Sequence, residues 1–262
     1  MRKKALFFDV DGTLLSEITH KVPQSALCAI QKARACGHMT FVNSGRETCI
    51  LNEIRSMIDM DGYLCGCGTQ LIVHGETVYE HRLSPEICHF VAECAKKYDV
   101  CAVLEAQDCF FFPESPCRIE KVETVRASIT RQNPNAVRNI TDQSVFDKFC
   151  VWVDEKSDMS GFRKEIETLF TVIDRGNGMF ECVPLGHSKA TAIDRILEMY
   201  QIRREDAYVF GDSTNDLAMF EAVPNAILMG KHDKELEPYA SFITKDVEDD
   251  GVAYAMEQLG II

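Results

Sequence analysis

Two aspartates, Asp9 and Asp11, stand two residues apart in the run Phe7-Phe8-Asp9-Val10-Asp11-Gly12-Thr13-Leu14. Neighbouring carboxylates resist being ionised together, so one can serve as nucleophile or metal ligand while the other carries a proton. The alternative reading of the same residues is a strand-end Asp pair that caps the following turn. A second group, Gly211-Asp212-Ser213-Thr214-Asn215-Asp216, adds Asp212 and Asp216. Crowded oxygen ligands without Cys or His call for a hard cation, with Mg²⁺ the natural choice. Asn215 and Asp216 also suit a helix N-cap, which is the competing role for them. In Asn43-Ser44-Gly45-Arg46, the Ser44 hydroxyl and free N–H groups at a helix start can hold a phosphate, although Ser-Gly after a strand is also an ordinary turn. Lys189, in Gly186-His187-Ser188-Lys189, opens a helix where the dipole disfavours a cation, which suggests an anion beside it; a solvated surface lysine is the competing reading.

Each group needs a strand in front of it. Ala5-Leu-Phe-Phe, residues 39–42 and Tyr208-Val-Phe are short apolar runs that fit buried parallel strands. If Asp9 and Asp11 continue the first strand, its period of two puts both in the crevice at the strand's carboxyl end. Helices are expected over 23–36, 48–57, 188–200, 215–222 and 252–259, with further strands at 64–65, 226–229 and 242–243 and a hairpin over 71–79. Strand–helix alternation of this kind argues for a parallel sheet covered on both faces. Residues 83–182 break the alternation. Helices over 85–98, 114–131 and 160–170, and strands over 100–106, 110–112, 149–153, 171–174 and 179–183, form an α+β unit. The expected organisation is therefore a Rossmann-like α/β core, 1–82 with 183–262, and an inserted α+β cap, 83–182.

Composition narrows the partners. The 262 residues carry 28 Lys+Arg against 41 Asp+Glu, a net charge of −13, which disfavours nucleic acid and anionic membranes as partners. No apolar run is long enough to span a bilayer, and the N-terminus lacks the apolar segment of a signal peptide. The 12 Cys fit core-filling thiols of a reducing, cytoplasmic compartment; Cys65 and Cys67 have no second pair at zinc spacing. Phe110, Phe111 and Phe112 read as packing, and His89, Arg118 and Lys121 as surface groups.

Taken in order, D-x-D-G-T-L, Ser-Gly-Arg, a helix-opening Lys and G-D-x-x-N-D resemble the haloacid dehalogenase superfamily, and the placement of the insert resembles its Cof-type phosphatases with a C2 cap. The resemblance implies an aspartyl-phosphate formed on Asp9, with Asp11 as general acid/base. It implies Mg²⁺ on the Asp9 carboxylate, the Asp11 carbonyl and Asp212, with Asp216 as a further ligand or support. Ser44, Gly45, Lys189 and Asn215 would hold the phosphoryl oxygens. The implied activity is hydrolysis of a small phosphomonoester, a sugar phosphate being one candidate. A phosphomutase of the same superfamily and a phosphoacceptor signalling domain are the alternatives, the latter leaving the insert unexplained. The chain departs from the family pattern in two places. Asn43-Ser44 stands where Ala-Thr is common, and Cys67-Gly68-Thr69 where Asn-Gly-Ala is common, so any contact made by that Asn does not carry over. Nothing in the sequence indicates an oligomeric state.

Overall fold

The computed structural model describes residues 2–262. The chain divides into two compact units, one of Met1–Gly45, Ile54–Tyr79 and Ser188–Ile262, the other of Arg46–Glu53 and Glu80–His187.

The first unit is built on an eight-stranded sheet in the order Phe242–Ile243, Asn225–Leu228, Ala207–Gly211, Ala5–Phe8, Met39–Asn43, Gly62–Cys65, Gln70–Val73, Glu76–Glu80. The first six strands pair in parallel, and the seventh turns back antiparallel to the sixth. Ala5–Phe8 lies in the middle with all four residues buried, as its unbroken apolar run requires of a strand covered on both faces. One face, carrying Phe7, Phe41, Leu64 and Val209, packs against Ile193 and Ile196 of the helix Lys189–Tyr200 and against Met219 and Phe220 of the helix Leu217–Ala222. The last two strands form a hairpin through His74 and Gly75, both with positive φ (50° and 84°), the backbone a tight two-residue turn needs.

The second unit holds a six-stranded sheet in the order Phe170–Asp174, Met179–Pro184, Lys148–Trp152, Cys101–Glu105, Phe110–Phe112, Val137–Asn139. Leu104, Phe149, Val151 and Cys182 pack on one face against the helices Pro85–Lys97 and Met159–Ile166. Val103, Cys150 and Trp152 pack on the other against Val122 and Ile129 of the helix Glu120–Gln132, with Phe110 and Phe112 buried beside them.

Three local expectations are corrected. The helix expected from residue 114 starts at Glu120, because Pro116 lacks an N–H and disfavours helical backbone at the residue before it. The helix expected over 48–57 is broken into a turn, Thr48–Ile50, and a short helix, Asn52–Met57. The break coincides with Arg46–Glu53 grouping with the second unit, where Cys49 and Ile50 join the cluster around Val103 and Trp152. The strand Val137–Asn139 was not anticipated; at three residues, two of them exposed, it has no apolar signature. No helix among the described residues is long and apolar enough to cross a membrane.

Candidate active site

The parallel register sets the geometry. Phe8 is level with Val42 on one side and Phe210 on the other, so the residues leaving the three strands, Asp9, Asn43 and Gly211, stand at one height. This carboxyl edge is where open α/β sheets place their ligands. Asp9 is fixed by its own N–H, which donates to the Phe210 carbonyl at 3.0 Å. The residue is only 4 % exposed.

The carboxylates of Asp9, Asp212 and Asp216 offer oxygens that all lie within 4.8 Å of one another. Among them sits Lys189, whose Nζ donates to Asp9 Oδ1 at 2.5 Å and to Asp216 Oδ1 at 2.7 Å. The unfavourable place of Lys189 at a helix start is thus explained by two anions of the protein itself. Its helix is anchored by a capping box, in which Ser188 accepts from the Thr191 N–H and Thr191 accepts from the Ser188 N–H. Asn43, buried at the end of its strand, donates from Nδ2 to the Lys189 carbonyl at 2.9 Å and so ties the Ser44 strand to the Lys189 helix.

Asp216 heads the helix Leu217–Ala222 without a side-chain cap bond to it, and its carboxylate bonds elsewhere. Its Oδ2 accepts from the Asp212 N–H at 3.1 Å and, closing a capping box, from the Ser213 N–H at 3.5 Å, while its Oδ1 faces Lys189. Asp212 Oδ1 accepts from the Thr13 hydroxyl at 3.2 Å, linking the first and last motifs. Gly12, with φ +76°, lies under Asp212; a Cβ built there would fall 2.5 Å from Asp212 Oδ2. Only glycine admits both that backbone and that approach.

Electrostatics follow from the crowding. Burial pushes the Asp9 carboxyl up to about 7; the Asp216 charge adds to this and Lys189 opposes it. Burial, then Asp216 and Asp9, push Asp212 up to about 8. Burial works against the Lys189 ammonium, but Asp216 and Asp9 outweigh it and hold its pKa above the usual lysine range. Three carboxylates facing one ammonium leave a local excess of negative charge, and an all-oxygen donor set of this kind fits a hard divalent cation.

The remaining candidates are described by their own local contacts. The strand ends at Phe8, so the period of two does not carry to Asp11, which is exposed on a turn and bridges to Leu15. Ser44 is buried, its N–H donating to Leu64 O and its carbonyl accepting from Cys67 N–H. Gly45 follows it, half-buried. Asn215 is exposed, and its Oδ1 accepts from the Ser213 hydroxyl at 3.1 Å. Cys67 adopts φ 54°, a left-handed conformation in which asparagine is enriched, so the departure from Asn falls on a position defined by its backbone.

The sequence reading passed over a buried charge cluster in the second unit. Lys148 Nζ donates to Glu105 Oε2 at 2.5 Å and to Glu181 Oε1 at 3.0 Å, and Arg175 pairs with Glu181. Glu47 is fully buried, neither of its carboxylate oxygens has a hydrogen-bond partner, and burial drives its pKa well above the usual range. Glu105 and Lys148 are cross-strand partners, a pairing that spacing along the chain does not reveal. Arg118 and Lys121, taken as surface groups, are engaged locally: Arg118 with Asp99 and Asp154, Lys121 with the Asn177 carbonyl.

A family model described as haloacid dehalogenase-like hydrolase matches residues 6–256. The curated 5-amino-6-(5-phospho-D-ribitylamino)uracil phosphatase YwtE of Bacillus subtilis (strain 168) is 24 % identical over 281 residues, with 98 % of each chain covered. The pyridoxal phosphate phosphatase YbhA of Escherichia coli (strain K12) is 22 % identical, with 97 % of each chain covered. Among solved structures, the subclass IIB sugar phosphatase BT4131 is 26 % identical with a TM-score of 0.81, and the match covers 99 % of this chain and 100 % of that one.

Proposed function

The chain belongs to the haloacid dehalogenase-like hydrolases, and on that premise we propose that it is a Mg²⁺-dependent phosphatase that hydrolyses a small phosphomonoester through an aspartyl-phosphate on Asp9. The observation that carries this reading is the buried Asp9 carboxylate, held by Lys189 and crowded by Asp212 and Asp216.

Phosphoryl transfer asks little of the protein beyond an in-line nucleophile and neutralisation of charge on the phosphoryl oxygens. Lys189 orients the Asp9 carboxylate by a charge-assisted hydrogen bond, and Asp9 attacks phosphorus. Asp11, exposed next to the buried nucleophile, protonates the departing alcohol and then takes a proton from the water that cleaves the acyl phosphate. Ser44, the Gly45 N–H and Lys189 hold the phosphoryl oxygens, with Asn215 an additional donor. The carboxylates of Asp9 and Asp212, the Asp11 carbonyl and Asp216, as ligand or support, would hold Mg²⁺, which supplies positive charge against the transferring group. The insert expected over 83–182, which falls within the second compact unit, would serve as the cap. The names of the two curated relatives support a small phosphorylated metabolite as substrate. The twelve free thiols support a cytoplasmic setting.

A panel of phosphomonoesters, assayed for free phosphate with EDTA and with Mg²⁺ restored, tests this. The expected outcome is release with Mg²⁺, a fall of about 10²-fold or more in EDTA, and recovery on adding Mg²⁺. Release that persists undiminished in EDTA overturns the metal assignment. Transfer of the phosphoryl group back to substrate without free phosphate would identify a mutase instead.

A further inference from the structure

Two thiols of the second unit are in contact. Cys101 opens the strand Cys101–Glu105, and Cys117 lies in the turn that leads to the helix Glu120–Gln132. Their sulfurs are 3.3 Å apart, with the Cys117 thiol donating to Cys101 Sγ. The contact is held from both sides. The Cys117 N–H donates to Glu123 Oε1 at 2.8 Å. The next residue, Arg118, pairs with Asp99, two residues before Cys101; it donates to the Asp99 carbonyl at 2.5 Å and reaches Asp154 at 2.8 Å and Ser157 Oγ at 3.1 Å. One guanidinium therefore fastens the chain beside Cys117 to the chain beside Cys101. The two thiols also differ in access, Cys101 being buried and Cys117 half-buried. Burial, then the hydrogen bond from Cys117, push the Cys101 thiol up to about 12.

We propose that Cys101 and Cys117 form a reversible disulfide by exchange with a small-molecule disulfide such as oxidised glutathione. The Cys117 thiolate attacks one sulfur of glutathione disulfide; a Cys117–glutathione bond forms, and the glutathione S–S bond breaks to release one glutathione thiolate. Cys101 then gives up its proton, in effect to that thiolate, and attacks the Cys117 sulfur, expelling the second glutathione. Two protein thiols are oxidised to one disulfide, and one glutathione disulfide is reduced to two thiols. The sulfurs must close by about 1.3 Å to reach bonding distance, which side-chain rotation can supply. The bond would tie the start of the central strand to the turn before the helix, constraining the intervening chain in the unfolded state and raising the melting temperature by several degrees.

The experiment incubates the whole folded protein in oxidised or reduced glutathione, alkylates free thiols and maps the cysteines by mass spectrometry. The expected result is a Cys101–Cys117 linkage in oxidised glutathione, reversed by dithiothreitol, with a higher melting temperature in the linked form. Cys101→Ser, which removes only the second thiol, should stop at a stable glutathione adduct on Cys117, and Cys117→Ser should leave Cys101 reduced. Both thiols alkylated after oxidised glutathione, or Cys117 linked to a different cysteine, overturns the proposal. Because the readout is covalent linkage, it stands or falls separately from phosphatase activity.

Discussion

Asp9→Asn is expected to release phosphate more slowly than the parent enzyme by on the order of 10⁴-fold or more, at saturating Mg²⁺ and on every substrate the parent accepts. The change replaces one oxygen by an amide nitrogen. The Asn oxygen still accepts the hydrogen bond that Lys189 now gives Asp9 Oδ1. The site keeps its shape and loses the nucleophile, so the loss should appear in kcat. The folded protein should survive. Burial raises Asp9 from its ordinary 3.8 to about 7. Between those values the folded state holds a proton that the unfolded chain has released, so this group's contribution to stability falls as pH rises through the window. A neutral Asn carries no such dependence. In metal-free buffer at pH 8 the variant should therefore melt no lower than the parent, and thermal denaturation at pH 5 and pH 8 checks this. A kcat near the parent's would remove Asp9 from the role of nucleophile.

Lys189→Met has the opposite character, damaging stability and activity together. The ammonium is 4 % exposed and bonds two carboxylates in a site that already holds a third. Removing one partner of a buried ionic cluster costs about 3–5 kcal/mol, since the remaining charges stay buried without compensation. For a chain of 262 residues that corresponds to a fall in melting temperature on the order of 10 °C. The phosphoryl oxygens also lose a charged donor, with an expected fall of about 10²–10³-fold in kcat. The stability deficit should narrow from pH 8 to pH 5, as protonation of Asp9 and Asp212 ends the mutual repulsion that the lysine offsets. Lys189→Arg should recover little of either, because a planar guanidinium does not fit a site shaped around a compact ammonium. Melting curves and steady-state kinetics on both variants decide the matter.

These expectations rest on parts of the molecule that the sequence made legible to different degrees. The strands Ala5–Phe8 and Ala207–Gly211 were readable because a parallel sheet needs uninterrupted apolar runs, and the polar residues after them mark the carboxyl edge. Asp212 and Asp216 were readable because a strand–turn–helix junction confines chemistry to a few positions. The reasoning about Asp9 and Asp11 was weaker. A shared face assumed that the strand continued, whereas the turn stabilised by Thr13, Leu14 and Leu15 N–H groups on the Val10 carbonyl begins at once and separates a buried Asp9 from an exposed Asp11. Lys189 showed the reverse. Its clash with the helix dipole was a true signal, but the nearest anions are Asp9 and Asp216. The cluster of Glu47, Glu105, Lys148 and Glu181 left no trace, since it depends on cross-strand register and on the grouping of Arg46–Glu53 with the second unit.

The acidic composition takes on a local meaning. A net charge of −13 argues against polyanionic partners. At the site the same sign, concentrated in three carboxylates around one lysine, is what suits a divalent cation, and the cation in turn suits a phosphomonoester.

The most direct test of the nucleophile uses Asp11→Asn enzyme with Mg²⁺ and p-nitrophenyl phosphate. Its leaving group needs no proton, so Asp9 should still be phosphorylated; the water that should remove the phosphoryl group lacks its base, so the intermediate should accumulate. Acid quenching and peptide mass spectrometry should then find one phosphoryl group on Asp9, and none when Asp9→Asn is added. A phosphoryl group on any other residue, or enzyme that turns over while Asp9 stays unmodified, would contradict the account.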